Sequence, residues 1–489
     1  MIQTEQLDNF LSGKLHDLFG QELYSALEAA ADEIGQELRV VGGTVRDLIL
    51  ERPTSDFDFV TEGDGPELAL KVKEKLGRKA RVAVFKNFGT AQVKYKGLEL
   101  EFVGARRESY RAESRKPEVE AGTFEDDERR RDFTINAMSV SINGEAKGTL
   151  HDPFGGVEDL KRGIIRTPLD PDITFSDDPL RMMRAVRFAS QLGFVLPDDM
   201  KEAVRRNADR LKIVSMERIT TEFLKIIDSK KPSIGLGLME ECGLMPLYLP
   251  EISALKSAET REGIGHKNNF YHTITVVDQL AERSDNQSLR LAALFHDVGK
   301  PVVKKFTPGA GWSFYNHDFV GMKMLPKIFR RVKLPLDERL KYIQKLVRLH
   351  MRPAQLADEG VTDSAVRRLL FEAGDDVDDL MTLCESDLTS KNPEKVRKYL
   401  DNFALVRDKL KEIEEKDRIR NFQPPVRGEE IMRVYGLEPR REVGLIKEAI
   451  KDAILDGVIP NEYEAAYAFM LDFARKEYGL EPVAGAKEE

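Results

Sequence analysis

The stretch VVGGTVRDLILERPTSDFDFV, residues 40–60, narrows the choice of fold more than any other part of the chain. Leu38, Val40 and Val41 read as the end of a buried strand, which Gly42-Gly43 interrupts. Val45, Leu48 and Ile49 follow at i, i+3, i+4 as one face of a short helix. In SDFDFV, Phe57 and Phe59 alternate with Asp56 and Asp58, so both rings leave one side of a strand and both carboxylates the other. Strand, glycine turn, short helix and strand make an α/β beginning. Two carboxylates on one face repel each other unless a cation lies between them, most simply magnesium.

A third acid comes from AQVKYKGLELEFVGA (91–105), which reads as a hairpin turning at Lys96-Gly97. Leu98, Leu100 and Phe102 alternate with Glu99 and Glu101, and periodicity does not choose between the two glutamates. Beyond about residue 150 the patterns are helical. The expected division is 1–150, 151–255, 256–415 and 420–489, with FQPPVRG (422–428) as a linker because consecutive prolines stop a helix.

No apolar run approaches the ~18 residues of a membrane span. The N-terminus lacks the apolar core of a signal peptide. Cys242 and Cys384 are the only cysteines, which suits a reducing cytoplasm. The formal net charge of −9 argues only weakly against a nucleic-acid partner, because phosphates are met by local surfaces. Basic clusters stand at 105–116, at 129–131 and through 323–352. Each one alone reads as a solvated face.

GGTVRD…DFDFV resembles the signature of the class II tRNA nucleotidyltransferase and poly(A) polymerase family, within the DNA polymerase β superfamily. RRDFTINAM (130–138), DPFGGVEDL (152–160), DDPLRMMRAVRFASQLGF (177–194) and MERITTEF (216–223) resemble further family segments in the same order. The resemblance implies an α+β head, a mixed sheet flanked by helices, followed by a long all-α region. It implies Asp56, Asp58 and Glu101 (rather than Glu99) as the catalytic, Mg2+-holding acids of a two-metal phosphoryl transfer. Gly42 and Gly43 would admit phosphate oxygens to backbone N–H groups, with Arg46 adding charge and Asp47 orienting it. Arg130, Arg131, Asp132 and Asn136 would recognise the sugar, and Asp178, Arg181 and Arg184 the base. The partners implied are tRNA, ATP and CTP.

Read as a helix, DDPLR makes Asp178 and Arg181 i, i+3 neighbours that converge on one base edge. A carboxylate only accepts hydrogen bonds and a guanidinium only donates them. Cytosine and adenine each present an amine beside an unprotonated ring nitrogen, which matches that pair; uracil and guanine present the reverse. Such a mismatch is worth roughly 10⁴-fold when the groups are buried. The family pattern usually has Glu-Asp where this chain has Asp177-Asp178, which leaves the readout pair intact. The polar stretch 106–129 cannot pack a core of its own and resembles a flexible loop tied to the switch from C to A, favouring full CCA addition.

Five of the seven histidines fall between 266 and 350. His272, His296-Asp297 and Asp387 resemble the metal set of the HD phosphohydrolase superfamily, and His317 and His350 resemble further positions in it. A divalent transition metal there could serve hydrolysis of a phosphate ester or only brace a helical scaffold. The expectation is thus a CCA-adding enzyme with a C-terminal HD domain and a C-terminal tRNA-binding segment. A poly(A) polymerase is one alternative, and an HD phosphohydrolase whose head only grips RNA is the other.

Overall fold

A computed structural model describes residues 4–483 except 86–88, 112–113, 258, 262–263, 266–267, 360–361, 391, 418 and 421. The side chains of 4–5, 56, 108–111, 114–119, 261, 264–265 and 357–359 also lie outside the description. The chain divides into two compact units, Met1–Pro250 and Glu251–Glu489. Among the described residues no helix is long and apolar enough to cross a membrane.

The first unit opens with α1 (Thr4–Glu33), interrupted at Gly20. Next come β1 (Leu38–Val41), α2 (Gly43–Ile49), β2 (Asp56–Thr61), α3 (Gly65–Leu76), β3 (Ala80–Phe85), β4 (Thr90–Tyr95) and β5 (Leu98–Gly104). After them run β6 (Arg106–Arg111), β7 (Ser114–Ala121), α4 (Phe124–Arg129), β8 (Ser139–Ser141) and β9 (Leu150–His151). Helices α5 (Gly156–Arg162), α6 (Pro171–Asp177), α7 (Leu180–Leu192), α8 (Asp198–Asn207) and α9 (Met216–Ile227) complete the parts that matter here.

Seven strands form one sheet in the order β3-β4-β5-β2-β1-β8-β9, with β2 and β5 parallel and the other neighbours antiparallel. This is the mixed sheet the α/β pattern implies. The β4–β5 hairpin turns at Lys96 (φ 46°) and Gly97 (φ 87°), both left-handed as a two-residue turn requires. The alternation in β2 is realised as expected. Phe57 and Phe59 are fully buried, Phe59 stacks on Phe102 at 5.1 Å, and Phe19 of α1 meets Phe57 edge-on at 5.1 Å. Cutting one such ring back to alanine costs about 3–5 kcal/mol, so this layer fixes the register that carries the acids.

Residues 106–129 depart from the expectation of a loop without packing. They form the β6–β7 hairpin and α4, while residues 112–113 lie outside the described set. One ring suffices to anchor the helix: Phe124 is buried against Val41, Val60 and Ala105. A capping box between Thr123 and Asp126 starts α4. Buried Asp127 closes the other face through the two arginines that follow it.

The second unit is helical, with two short hairpins the helical pattern did not foretell, Thr260–Arg261 with Ile264–Gly265 and Lys305–Thr307 with Gly311–Ser313. The segment expected as a linker is irregular up to Gly428, where the helix Gly428–Tyr435 begins, yet Phe422 and Val426 are buried and Phe422 meets Phe371 at 5.2 Å. It is packed chain rather than a free tether.

Candidate functional site

The parallel register of β2 and β5 sets Asp58 opposite Glu101 and Asp56 opposite Glu99. The Asp56 side chain lies outside the described residues. Glu99 is engaged on the sheet surface, by Lys94 at 2.5 Å and by Gln92 at 3.0 Å. Glu101 has no such lysine among the described residues, and its carboxyl is raised above the ordinary value, first by loss of water and then by the charge of Asp58, with Arg106 opposing. Two adjacent acids destabilised by each other suit a divalent cation, which would remove that repulsion.

Beside them the chain leaves β1 through Gly42, whose φ of 72° is left-handed and favours glycine. A Cβ there would stand 2.8 Å from Arg131 Nη1, so glycine also makes room for that guanidinium. The expectation that both glycines offer N–H groups to phosphate is corrected at Gly42: its N–H donates to the Met138 carbonyl at 3.0 Å. Arg46 is held as expected, donating to Asp47 through Nε (2.9 Å) and Nη2 (2.8 Å).

Arg46 also begins a chain of buried and half-buried contacts. Its Nη1 donates to Asn136 Oδ1 at 2.7 Å, Asn136 Nδ2 donates to Asp132 Oδ1 at 3.0 Å, and Arg184 Nε donates to Asp132 Oδ2 at 2.6 Å. Burial alone would raise the Asp132 carboxyl, but the Arg184 charge and the Asn136 hydrogen bond hold it at about 2. One acid therefore joins the residues expected at phosphate, sugar and base. Arg130 and Arg131 both pair with Asp127, where burial is outweighed by the two guanidiniums and the carboxyl stays below its ordinary value. Asp127 was missed in the sequence, although its i+3 and i+4 spacing to Arg130 and Arg131 signals the pairing.

Asp178 is not helical. It follows α6 with φ −129° and ψ 98°, and its carboxylate accepts from the Leu180 N–H at 3.1 Å, so it caps α7. The i, i+3 helical argument is corrected accordingly, because Pro179 separates two helices at this point. Asp178 and Arg181 nevertheless border one cavity of about 490 Å³ with Arg184. Arg106, Arg130, Arg131 and Arg218 line the same cavity, joined by Thr221 and Glu222 of α9. Arg106, Arg218 and Thr221 escaped the sequence reading because nothing in their local spacing sets them apart from surface residues. Six arginines at one cavity fit a polyanion such as a triphosphate.

In the second unit, His296-Asp297 ends the helix Gln287–Phe295, and Pro301 opens the short helix Lys300–Val303. Gly299 lets this turn touch the helix His317–Val332, since a Cβ would meet the His317 carbonyl at 2.1 Å. Nδ1 of His296, His317 and His350 donates to the carbonyl three residues earlier (Ala293, Phe314 and Val347), so each presents Nε2 inward. His272 Nε2 lies 2.9 Å from Asp387 Oδ1 and 3.8 Å from Asp297 Oδ2. Two ligand groups result, His272–His296–Asp297 and Asp297–His317–His350, sharing Asp297. His266 lies outside the described residues.

His296 Nε2 and Asp297 Oδ1 are buried without a hydrogen-bond partner among the described residues. Orphaned acceptors of this kind fit a cation. Burial pushes the His296 imidazole down, but the charges of Asp297 and Asp387 outweigh it and bring it up to about 10, so the two carboxylates favour positive charge here. Lys300 supplies part of it, with Nζ 2.6 Å from Asp297 Oδ2.

Residues 38–166 match the poly A polymerase head domain, 193–256 a probable RNA and SrmB-binding site of polymerase A, and 269–421 the HD domain. The A-adding tRNA nucleotidyltransferase of Deinococcus radiodurans is 32% identical over 367 residues, 73% of this chain and 81% of that protein. The CC-adding tRNA nucleotidyltransferase of Thermus thermophilus is 30% identical over 442 residues, 88% and 92% of the two. The crystal structure of the Bacillus stearothermophilus CCA-adding enzyme in complex with CTP is similar with a TM-score of 0.62 at 26% identity, covering 94% of this chain and 98% of that one.

A mixed sheet with paired acids beside an arginine-lined cavity defines a nucleotide-transferring enzyme. The chain belongs to the class II tRNA nucleotidyltransferase and poly(A) polymerase family, in the form that carries an HD domain. Both domain families work with divalent metal ions.

Proposed function

We propose that the chain adds CCA to tRNA 3′ ends from CTP and ATP, with no nucleic-acid template and in the cytoplasm. The tRNA 3′-hydroxyl attacks the α-phosphorus, the new P–O bond replaces the α–β bridge, and pyrophosphate leaves with the hydroxyl proton lost to solvent. Asp56, Asp58 and Glu101 would hold Mg2+, which when bound would make the 3′-hydroxyl more acidic and offset the charge of the leaving group. Arg46, oriented by Asp47, meets the phosphates beside the turn that Gly42 and Gly43 form. Arg130, Arg131, Asp132 and Asn136 fit the sugar. Asp178 accepts from the base amine and Arg181 donates to the ring nitrogen beside it, with Arg184 supporting them.

The observation that carries this reading is the acceptor–donor pair on one cavity whose Arg106 also acts on the Glu101 carboxyl. Because relatives include A-adding and CC-adding enzymes, the test is tRNA ending at its discriminator base, given CTP, ATP, UTP and GTP separately and together. Addition of C and then A, with U and G refused, is the expected result. Extension by ATP alone into a long tail would indicate a poly(A) polymerase instead.

The orphaned acceptors at the HD cluster support a second activity on the same chain. Divalent transition-metal ions held by His272, His296, Asp297, Asp387, His317 and His350 would supply Lewis acidity toward a phosphomonoester or a 2′,3′-cyclic phosphate. Loading with nickel, manganese or zinc and assaying both esters tests this, and hydrolysis of neither would refute it. Residues 420–489 are proposed to contact tRNA; no protein partner is called for.

A further inference from the structure

Phe188 of α7 reads in the sequence as one more apolar residue on a helix face, and it is buried, 5% exposed. Its surroundings are not those of an ordinary core ring. Three guanidiniums stand within cation–π range of it: Arg187 at 4.0 Å, Arg46 at 5.0 Å and Arg184 at 5.4 Å from the ring centre. Phe133, which lies between Asp132 and Thr134 of the sugar-recognition segment, meets it edge-on at 5.7 Å. Each guanidinium has its own acid: Asp47 for Arg46, Asp132 for Arg184 and Glu222 for Arg187, the last at 3.0 Å with both partners buried.

Three like charges this close repel. Arg187 shows it: burial and the neighbouring charges of Arg184 and Arg46 bring its pKa down to about 10 despite Glu222. The negative face of an aromatic ring offsets such repulsion without adding a hydrogen-bond acceptor that would compete with substrate. An aliphatic side chain of similar bulk fills the space but carries no such field.

We propose that Phe188 is a positioning residue that sets the phosphate-side Arg46 and the base-side Arg184 relative to one another. Through this ring the grip on the triphosphate and the choice of base become one geometry. The inference rests on the reading of the head as a nucleotide-adding site.

The test compares Phe188→Leu, which keeps apolar bulk, with Phe188→Tyr, which keeps the ring, both in the full chain well below their Tm. CTP and UTP affinities are measured by titration, and kcat and KM by single-nucleotide addition. Phe188→Leu is expected to reduce CTP-over-UTP discrimination about tenfold and to raise KM for CTP and ATP more than it lowers kcat, the size of one desolvated cation–ring contact. Phe188→Tyr should stay within about twofold of the parent on each measure. Equal losses in the two variants, or a fall in Tm with discrimination unchanged, would overturn the proposal. Should Phe188→Leu not fold, Phe188→Met takes its place with the same expectation. Absence of nucleotide addition in the parent chain would instead overturn the reading of the site, while the titrations still decide the role of Phe188.

Discussion

Asp132→Asn removes the one charge that joins Asn136 to Arg184. The drop of the Asp132 carboxyl from 3.8 to about 2, at about 1.36 kcal/mol per pH unit, is about 2.4 kcal/mol of stability at neutral pH. Because the folded value lies below the ordinary one, this contribution is complete above 3.8 and fades as the pH falls through about 2. By the same linkage about 1.3 kcal/mol of it survives at pH 3. The asparagine also sets its amide N–H2 against one of two neighbours that both donate there, Asn136 or Arg184, a penalty that does not change with pH. Urea denaturation followed by hydrogen exchange over residues 130–190 should therefore show Asp132→Asn less stable by about 2 kcal/mol or more at pH 6, the gap narrowing by about 1 kcal/mol at pH 3. Equal stability at pH 6, or a gap independent of pH, would refute the assignment of Asp132 as a buried ionised hub.

Asp58→Ala should lower nucleotide addition about a thousandfold or more while tRNA affinity, measured by filter binding, stays near that of the parent; Asp56→Ala should do the same. Asp178→Ala and Arg181→Ala should relax refusal of UTP and GTP by about a hundredfold, read as ratios of kcat/KM, and a uniform loss for all four nucleotides would place the readout elsewhere. In the HD cluster, Asp297→Asn should deplete both ligand groups of metal, measured by elemental analysis, whereas His350→Ala should deplete one; neither change should touch nucleotide addition.

The sequence made the sheet legible through one physical rule, strict alternation. Phe57 and Phe59 inward and Asp58 outward follow from a period of two, and the Lys96-Gly97 turn follows from residues that tolerate left-handed backbone. Choosing Glu101 over Glu99 took the resemblance, because both face the same way; the register opposite Lys94 and Asp58 is a property of three strands together. The cap at Asp178 was misread as helix because Pro179 can either start a helix or end one. The packing of 106–129 was hidden because it depends on one phenylalanine and on Asp127 buried under two arginines, which composition counts as polar. The histidines were legible as a cluster by their rarity. That Asp297 is shared between two ligand groups was not, since it depends on four helices converging.

The proposed function requires one cavity to accept both cytidine and adenosine nucleotides and to change between them as the tRNA end grows. Three tRNA acceptors, ending at the discriminator base, at C and at CC, are each given CTP or ATP with the purified chain and Mg2+. CTP should extend the first two by C, ATP should extend only the third by A, and no further addition should follow. Failure of ATP on the CC end, or of CTP on the discriminator end, would contradict it and leave a chain that performs only half of the addition.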